Sequence, residues 1–460
     1  MKVLKNSIFC AVSAVCLLAA CTPTSSPDSE PEALSIEVHE GEFARIQQFV
    51  TPGGVSVWLV EEPSIPILSL RMAWEAGSAN DPEGLEGLTY AMTYHMNEGA
   101  GELDAQAFFK RMEELNMSFG CGSNVENTYC NASMLTEAVD ESFEMIGLAL
   151  REPRFDAGPF ERFKREQEVS LKTRETNARY LANRARQAAL YPDHPFAREV
   201  SAESLAALSQ DGMATQKQRL MTRDRLLITA VGAISPEQLA PLIDRATADL
   251  AETSELVDVP AIELAEAVAD PILVDLPQPQ SLVSFIAPAM TRESPDFYPA
   301  VVLNYVLGGG GFESRLMQDL RVEKGLTYGV STRVSPGEKL QSWSGGGQTK
   351  NESAGAFIAG VKDNLEALVS AGITEAELSD AKAYLTGSYP LSFDSNAKIA
   401  ARMMGVRQDG LPVSFFDTRN ALIEAVTLED VNRVAQDYLQ AENFTFIIVG
   451  QPQGLEPTRE

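Results

Sequence analysis

Leu226-Leu-Ile-Thr-Ala-Val-Gly232 and Phe444-Thr-Phe-Ile-Ile-Val-Gly450 are two apolar strands, each closed by a glycine, and those glycines stand 218 positions apart. The same interval relates Phe155-Asp-Ala-Gly-Pro-Phe160 to Ile373-Thr-Glu-Ala-Glu-Leu378, each following one amphipathic helix and opening another. One such pair could be coincidence, but two at a single interval point to a duplicated unit of roughly 200 residues. A chain of 460 residues is also longer than one hydrophobic core normally serves.

Outward from the first strand, the order of elements sets the fold class. Gly54–Val60 and Ile65–Trp74 alternate as strands, and helices are expected over Leu85–Glu98 and Asp104–Leu115. A hairpin then turns around Asn124–Asn127, followed by helices near Ala138–Arg151 and Pro159–Ala189. Strands and helices mix without strict alternation, which argues α+β rather than a doubly wound sheet. The expected architecture is two homologous tandem domains, 41–250 and 271–460, each a mainly antiparallel sheet packed with helices. The acidic, Ala/Val-rich stretch 251–270, with Pro260, reads as the linker.

Composition narrows the function. At 44% hydrophobic and 22% charged the chain is ordinary globular material, which excludes a disordered or collagen-like protein. With 37 Lys and Arg against 65 Asp and Glu, a net of -28, its field repels phosphate backbones and argues against a nucleic-acid partner.

The N-terminus reads as an export segment. Lys2 and Lys5 precede an apolar run, Ile8–Ala20, too short to span a bilayer but suited to a signal peptide. The run ends in Leu18-Ala19-Ala20-Cys21, similar to the bacterial lipoprotein box, in which the cysteine becomes the acylated N-terminus. The alternative is an ordinary signal peptide with a cysteine at its cut site. On the first reading residues 1–20 are removed, 21–40 form a flexible tether, and lipid on Cys21 holds the chain at a membrane on the periplasmic side of the cell envelope. Only Cys121 and Cys130 then remain beside Cys21; they flank the hairpin turn and are either bridged or a free buried pair.

Local chemistry is sparse. His39, His95 and His194 offer no pair at the four-residue spacing that aims two imidazoles at one metal. His95 and Glu98 share a helical face and read as a surface pair. Gly308-Gly309-Gly310-Gly311 lacks the Gly-Lys-Ser/Thr of a phosphate loop, leaving a flexible loop beside a binding cleft or a helix terminator.

Three stretches together resemble one family. Gly77–Gly84 with Gly87–Gly99, Leu190–Phe196, and Ser314–Val330 are similar to landmarks of the pitrilysin/insulinase-type zinc metallopeptidases, the inverzincins, which include mitochondrial processing peptidase. The resemblance spans about residues 45–452 and implies tandem domains, in agreement with the repeat. In active members His-x-x-Glu-His holds zinc and supplies the general base. Aligned on the flanking glycines, those positions here are Tyr90, Thr93 and Tyr94, so both imidazoles and the base are missing. The third, acidic ligand falls among Glu166, Glu168 and Glu175. The resemblance also implies that Arg321 and Tyr328 hydrogen-bond substrate backbone; the competing account is that they persist as packing residues.

This pattern implies a non-catalytic, substrate-binding subunit. The chain would hold no metal or cofactor itself, and a catalytic subunit of the same family would bring zinc to a shared peptide substrate. The alternative is a stand-alone envelope binding or scaffold protein that keeps the fold without proteolysis.

Overall fold

The computed structural model describes residues 34–455; the expected signal peptide, Cys21 and the tether as far as residue 33 lie outside them. Among the described residues, the first half contributes β1 (Ile36–Glu40), β2 (Arg45–Val50), β3 (Ser56–Glu61) and β4 (Ile67–Trp74). A small ribbon of β5 (Gly99–Ala100) and β6 (Leu103–Asp104) precedes β7 (Ser118–Ser123), β8 (Thr128–Leu135) and β9 (Leu226–Gly232). Without the ribbon these form a seven-stranded sheet, ordered β1-β2-β3-β9-β4-β8-β7. The second half supplies β10 (Ile272–Asp275), β11 (Gln280–Pro288), β12 (Thr327–Pro336), β13 (Gln341–Lys350) and β14 (Thr445–Gly450), ordered β10-β14-β11-β13-β12.

The two quoted strands occupy equivalent interior places. β9 runs parallel to β3 and antiparallel to β4, and β14 runs parallel to β10 and antiparallel to β11. The other pairs are antiparallel, giving the expected α+β pattern of two sheets packed with helices. Their terminal glycines have a steric cause. A Cβ on Gly232 would stand 2.6 Å from the Ile67 carbonyl oxygen, and one on Gly450 2.6 Å from Ser281 Oγ.

Two expectations need correction. Residues 36–40, placed in the tether, form β1. Main-chain pairing with β2 and the His39 Nε2–Asp417 Oδ2 contact at 2.6 Å hold it, rather than buried apolar side chains, so hydropathy gave no signal. The single helix over 159–189 is two, Ala157–Arg174 and Ala178–Leu190. Asn177 accepts from the amides of Arg179 and Tyr180 at 3.0 and 3.1 Å, capping the second helix and ending the first.

That break frees a helix to cross between the halves. Ala178–Leu190 packs Ala182 and Leu190 on Ile286, Ile447 and Val449 of the second sheet. Its counterpart, Asn396–Gln408, which starts 218 residues later, packs Ala400 and Met403 on Ile46, Trp58 and Val231 of the first. Each half therefore covers one sheet face of the other. The opposite faces close over separate cores, one around Trp74, Phe108 and Phe143, the other around Phe285, Trp343 and Phe357.

Candidate functional site

The helix Leu88–His95 carries the positions at which the resemblance places zinc ligands. Its start is fixed by Asp81, which accepts from the Gly87 and Thr89 amides at 2.8 and 2.9 Å, from Thr89 Oγ1, and from Gln216 Nε2 at 3.2 Å. Burial outweighs these donors and raises the Asp81 carboxyl to about 6.

The side chains on that helix make an aromatic cluster. The Tyr94 ring lies 5.1 Å from Phe163, Tyr90 lies 5.6 Å from the same ring, and the two tyrosines are 6.3 Å apart. Thr93 is buried, and its hydroxyl donates to the Tyr90 carbonyl at 3.1 Å. His95 is not the expected surface residue. It is fully buried, its Nδ1 2.7 Å from the Ala91 carbonyl and its Nε2 unpartnered among Phe160, Phe163 and Tyr94.

Glu98 instead pairs with Arg162 at 2.9 Å, and Arg162 lies 4.0 Å from Glu166. Burial, then Glu166 and Glu98, raise the Tyr94 phenol above its usual range. Glu175 pairs with Arg184 at 3.2 Å, and Glu168 borders a separate hollow beside Tyr180. This donor set does not fit zinc: two phenols, a bonded hydroxyl and one carboxylate tied to arginine replace two imidazoles and two carboxylates. No cluster of three or more metal-ligating side chains occurs among the described residues.

The second half does form an open site. A cleft of about 760 Å³ is lined by Arg321, Tyr328, Gly308, Gly309 and Gly311, so the structure gathers both members of the Arg/Tyr pair and three of the four loop glycines. Gly308 and Gly309 end a π-helical segment, Tyr305–Gly309, and Arg321 sits in another, Met317–Glu323. Such widened turns re-aim side chains and often mark functional sites. The glycine run is thus both a helix end and a cleft wall.

Tyr328 lies where the β12 register slips between Thr327 and Val330, and it is 84% exposed. The Arg321 guanidinium stacks over Phe312 at 4.4 Å. β12 is the edge strand of its sheet. Arg179, from the crossing helix of the first half, also lines the cleft; sequence reading missed it because no local motif marks it.

Cys121 and Cys130 lie elsewhere, directly opposed on β7 and β8, their sulfurs bonded and their Cα atoms 4.0 Å apart. His194 Nε2 is 3.0 Å from the Pro260 carbonyl, in a structural role at the linker.

Comparison with known proteins agrees with this architecture. Residues 56–204 match the family described as insulinase (peptidase family M16), and residues 208–385 the one described as peptidase M16 inactive domain. The chain belongs to the M16 family. Among M16 relatives, the non-peptidase homolog YmxG of Helicobacter pylori is 26% identical over 412 residues, covering 88% of this chain and 94% of its own. The mitochondrial-processing peptidase subunit beta of Lentinula edodes is 21% identical over 432 residues, covering 88% and 89%. A crystal structure of a peptidase M16 inactive domain from Pseudomonas fluorescens superposes with a TM-score of 0.82 at 24% identity, over 90% of this chain and 100% of that one. This chain is an M16 homologue whose motif helix offers none of the zinc ligands.

Proposed function

We propose that this chain is the non-catalytic, substrate-binding subunit of a heteromeric zinc metallopeptidase acting on peptides in the cell envelope, held there by lipid on Cys21. One observation carries the reading: Arg321 and Tyr328 open into one cleft at β12, a strand with no strand partner on one side, where Asn304 Nδ2 takes the Thr332 carbonyl at 3.3 Å. Tyr328 at 84% exposure packs too little to be kept for the core. An extended peptide can add to the β12 edge, with Arg321 and Tyr328 donating to its carbonyl groups.

The partner, a family member with His-x-x-Glu-His, would contribute the zinc chemistry that Tyr90, Thr93 and Tyr94 cannot. Two relatives support the division. One is a non-peptidase homolog, and another is by name the beta subunit of a processing peptidase.

The test is the complex purified from native membranes. Replacing Arg321 by Ala and Tyr328 by Phe should lower peptide turnover by about one to two decades while leaving the thermal midpoint nearly unchanged. Undiminished turnover in a well-folded double variant removes the positioning role. If no chain with the intact motif co-purifies, the stand-alone scaffold takes its place.

The anchor is tested separately. Cys21→Ser should move the protein into the soluble periplasmic fraction or leave an uncleaved precursor. Unaltered membrane extraction with normal processing would show that Cys21 carries no lipid.

A further inference from the structure

Beside the cleft, between the crossing helix and the face of the second sheet, lies a smaller cavity of about 310 Å³. The two share Arg179, Leu282, Ser331, Thr332 and Gly346 in their walls, so they adjoin as neighbouring parts of one groove. Arg179 and Arg186, two helical turns apart, project from the first half onto this groove, and Arg333 of β12 faces them from the sheet. With Arg321 at the far end, four arginines line it.

No carboxylate lines either part, although the chain carries 65 Asp and Glu against 37 Lys and Arg. Among the described residues none of the four makes an ion pair, while Arg184 of the same crossing helix holds Glu175. Arg186 Nε is sealed from water without a hydrogen-bond partner. A guanidinium is a rigid fork suited to carboxylate, and the sealed Arg186 Nε is a donor without a partner at this groove.

We propose that this groove selects peptides carrying acidic side chains, with Arg179, Arg186 and Arg333 receiving a Glu or Asp to one side of the segment held by Arg321 and Tyr328. The inference rests on the peptide-binding reading and adds the substrate class to it. The occupant is an acidic peptide rather than a free anion because the arginine cavity over the sheet face adjoins the cleft at β12 where Arg321 and Tyr328 would hold extended main chain. Tyr328 and Arg333 are five residues apart on β12, about 17 Å of extended chain, which puts the acid roughly four to six residues from the position beside Tyr328. The net negative charge of the protein does not forbid this. Beyond about 8–10 Å that repulsion is screened, whereas paired ions in a partly dry groove are screened little.

The experiment uses the full mature chain and fluorescence anisotropy with two labelled extended peptides, identical except for Glu or Gln at that spacing. The Glu peptide should bind at least about tenfold more tightly, a preference that weakens with added salt. Arg179→Gln with Arg186→Gln and Arg333→Gln should abolish the preference, weakening the Glu peptide at least about tenfold more than the Gln peptide. Arg321→Ala with Tyr328→Phe should weaken both peptides equally. If the triple variant fails to fold, Arg179→Gln with Arg333→Gln, both on exposed side chains, should still remove most of the preference.

Equal binding of the two peptides by the wild type, still sensitive to Arg321 and Tyr328, overturns the acidic selectivity and leaves the proposed function standing. Glu-selective binding indifferent to Arg321 and Tyr328 keeps the arginine groove and overturns their substrate role. Binding of neither peptide overturns both. Displacement of the Glu peptide by inorganic phosphate, with no effect on the Gln peptide, would reassign the groove to free anions.

Discussion

Arg407→Ala is expected to lower the unfolding free energy by about 3–5 kcal/mol, one of the two largest effects of a single substitution outside the apolar cores. Arg407 projects from the crossing helix of the second half into the first. Its Nη1 donates to the Ile228 and Ser56 carbonyls at 2.6 and 3.1 Å, its Nη2 to Ser56 Oγ at 2.8 Å, and its guanidinium lies over Trp58 at 5.3 Å. Burial depresses its pKa to about 10, so it remains a cation at neutral pH. Alanine would leave two carbonyls short of a donor and a void against the indole. Arg407→Lys, which keeps the charge but not the fork, should fall between the two. Denaturant unfolding of the three proteins checks this, and a loss under about 1 kcal/mol for the alanine variant would mean that apolar contacts alone join the halves.

Asp81→Ala should cost a comparable amount, because it strips the cap from the motif helix and leaves the Gly87 and Thr89 amides unpaired in a dry site, while Gln216 Nε2 loses one of its acceptors and keeps Thr89 Oγ1 at 2.9 Å. The pH dependence has a definite sign. With a folded value near 6 and an ordinary value of 3.8, the folded state holds the proton more tightly. This contribution is therefore fully present below about pH 4 and is lost as pH rises through 6, by up to about 3 kcal/mol. Asp81→Asn cannot titrate there, so its unfolding free energy should lack this fall. Parallel curves for wild type and Asp81→Asn between pH 4 and 7 would assign the pH dependence to other groups.

What was legible in the sequence follows from where the information lies. The repeat could be read because β9 and β14 are interior strands whose side chains and closing glycines answer to neighbours on both sides. The positions Tyr90, Thr93 and Tyr94 and the Arg321–Tyr328 pair could be aligned with the family because each set falls within eight consecutive residues, the first on one helix and the second across a π-helical segment and the start of β12. The break at Asn177 was missed because the residues on both sides form helix readily and the cap is a single side chain. Arg179, Arg186 and Arg333 were invisible as a group: two come from a first-half helix and one from a second-half strand, and only the crossing of the halves brings them together. His95 was misplaced for a related reason, since the rings that bury it, Phe160 and Phe163, arrive from a helix some 65 residues later.

The exchanged helices also impose an order on folding. The seven-stranded sheet is complete in sequence at Gly232, yet the apolar patch of Ile46, Trp58, Val60 and Val231 is covered by a helix that ends only at Gln408. The bonds that seal it, from Asn396 to Ile67 and from Arg407 to Ser56, join residues 329 and 351 apart. Closure over such separations is slow, and an uncovered sheet face invites mispairing meanwhile. Until that helix docks, the first half is an incomplete intermediate with one apolar sheet face open.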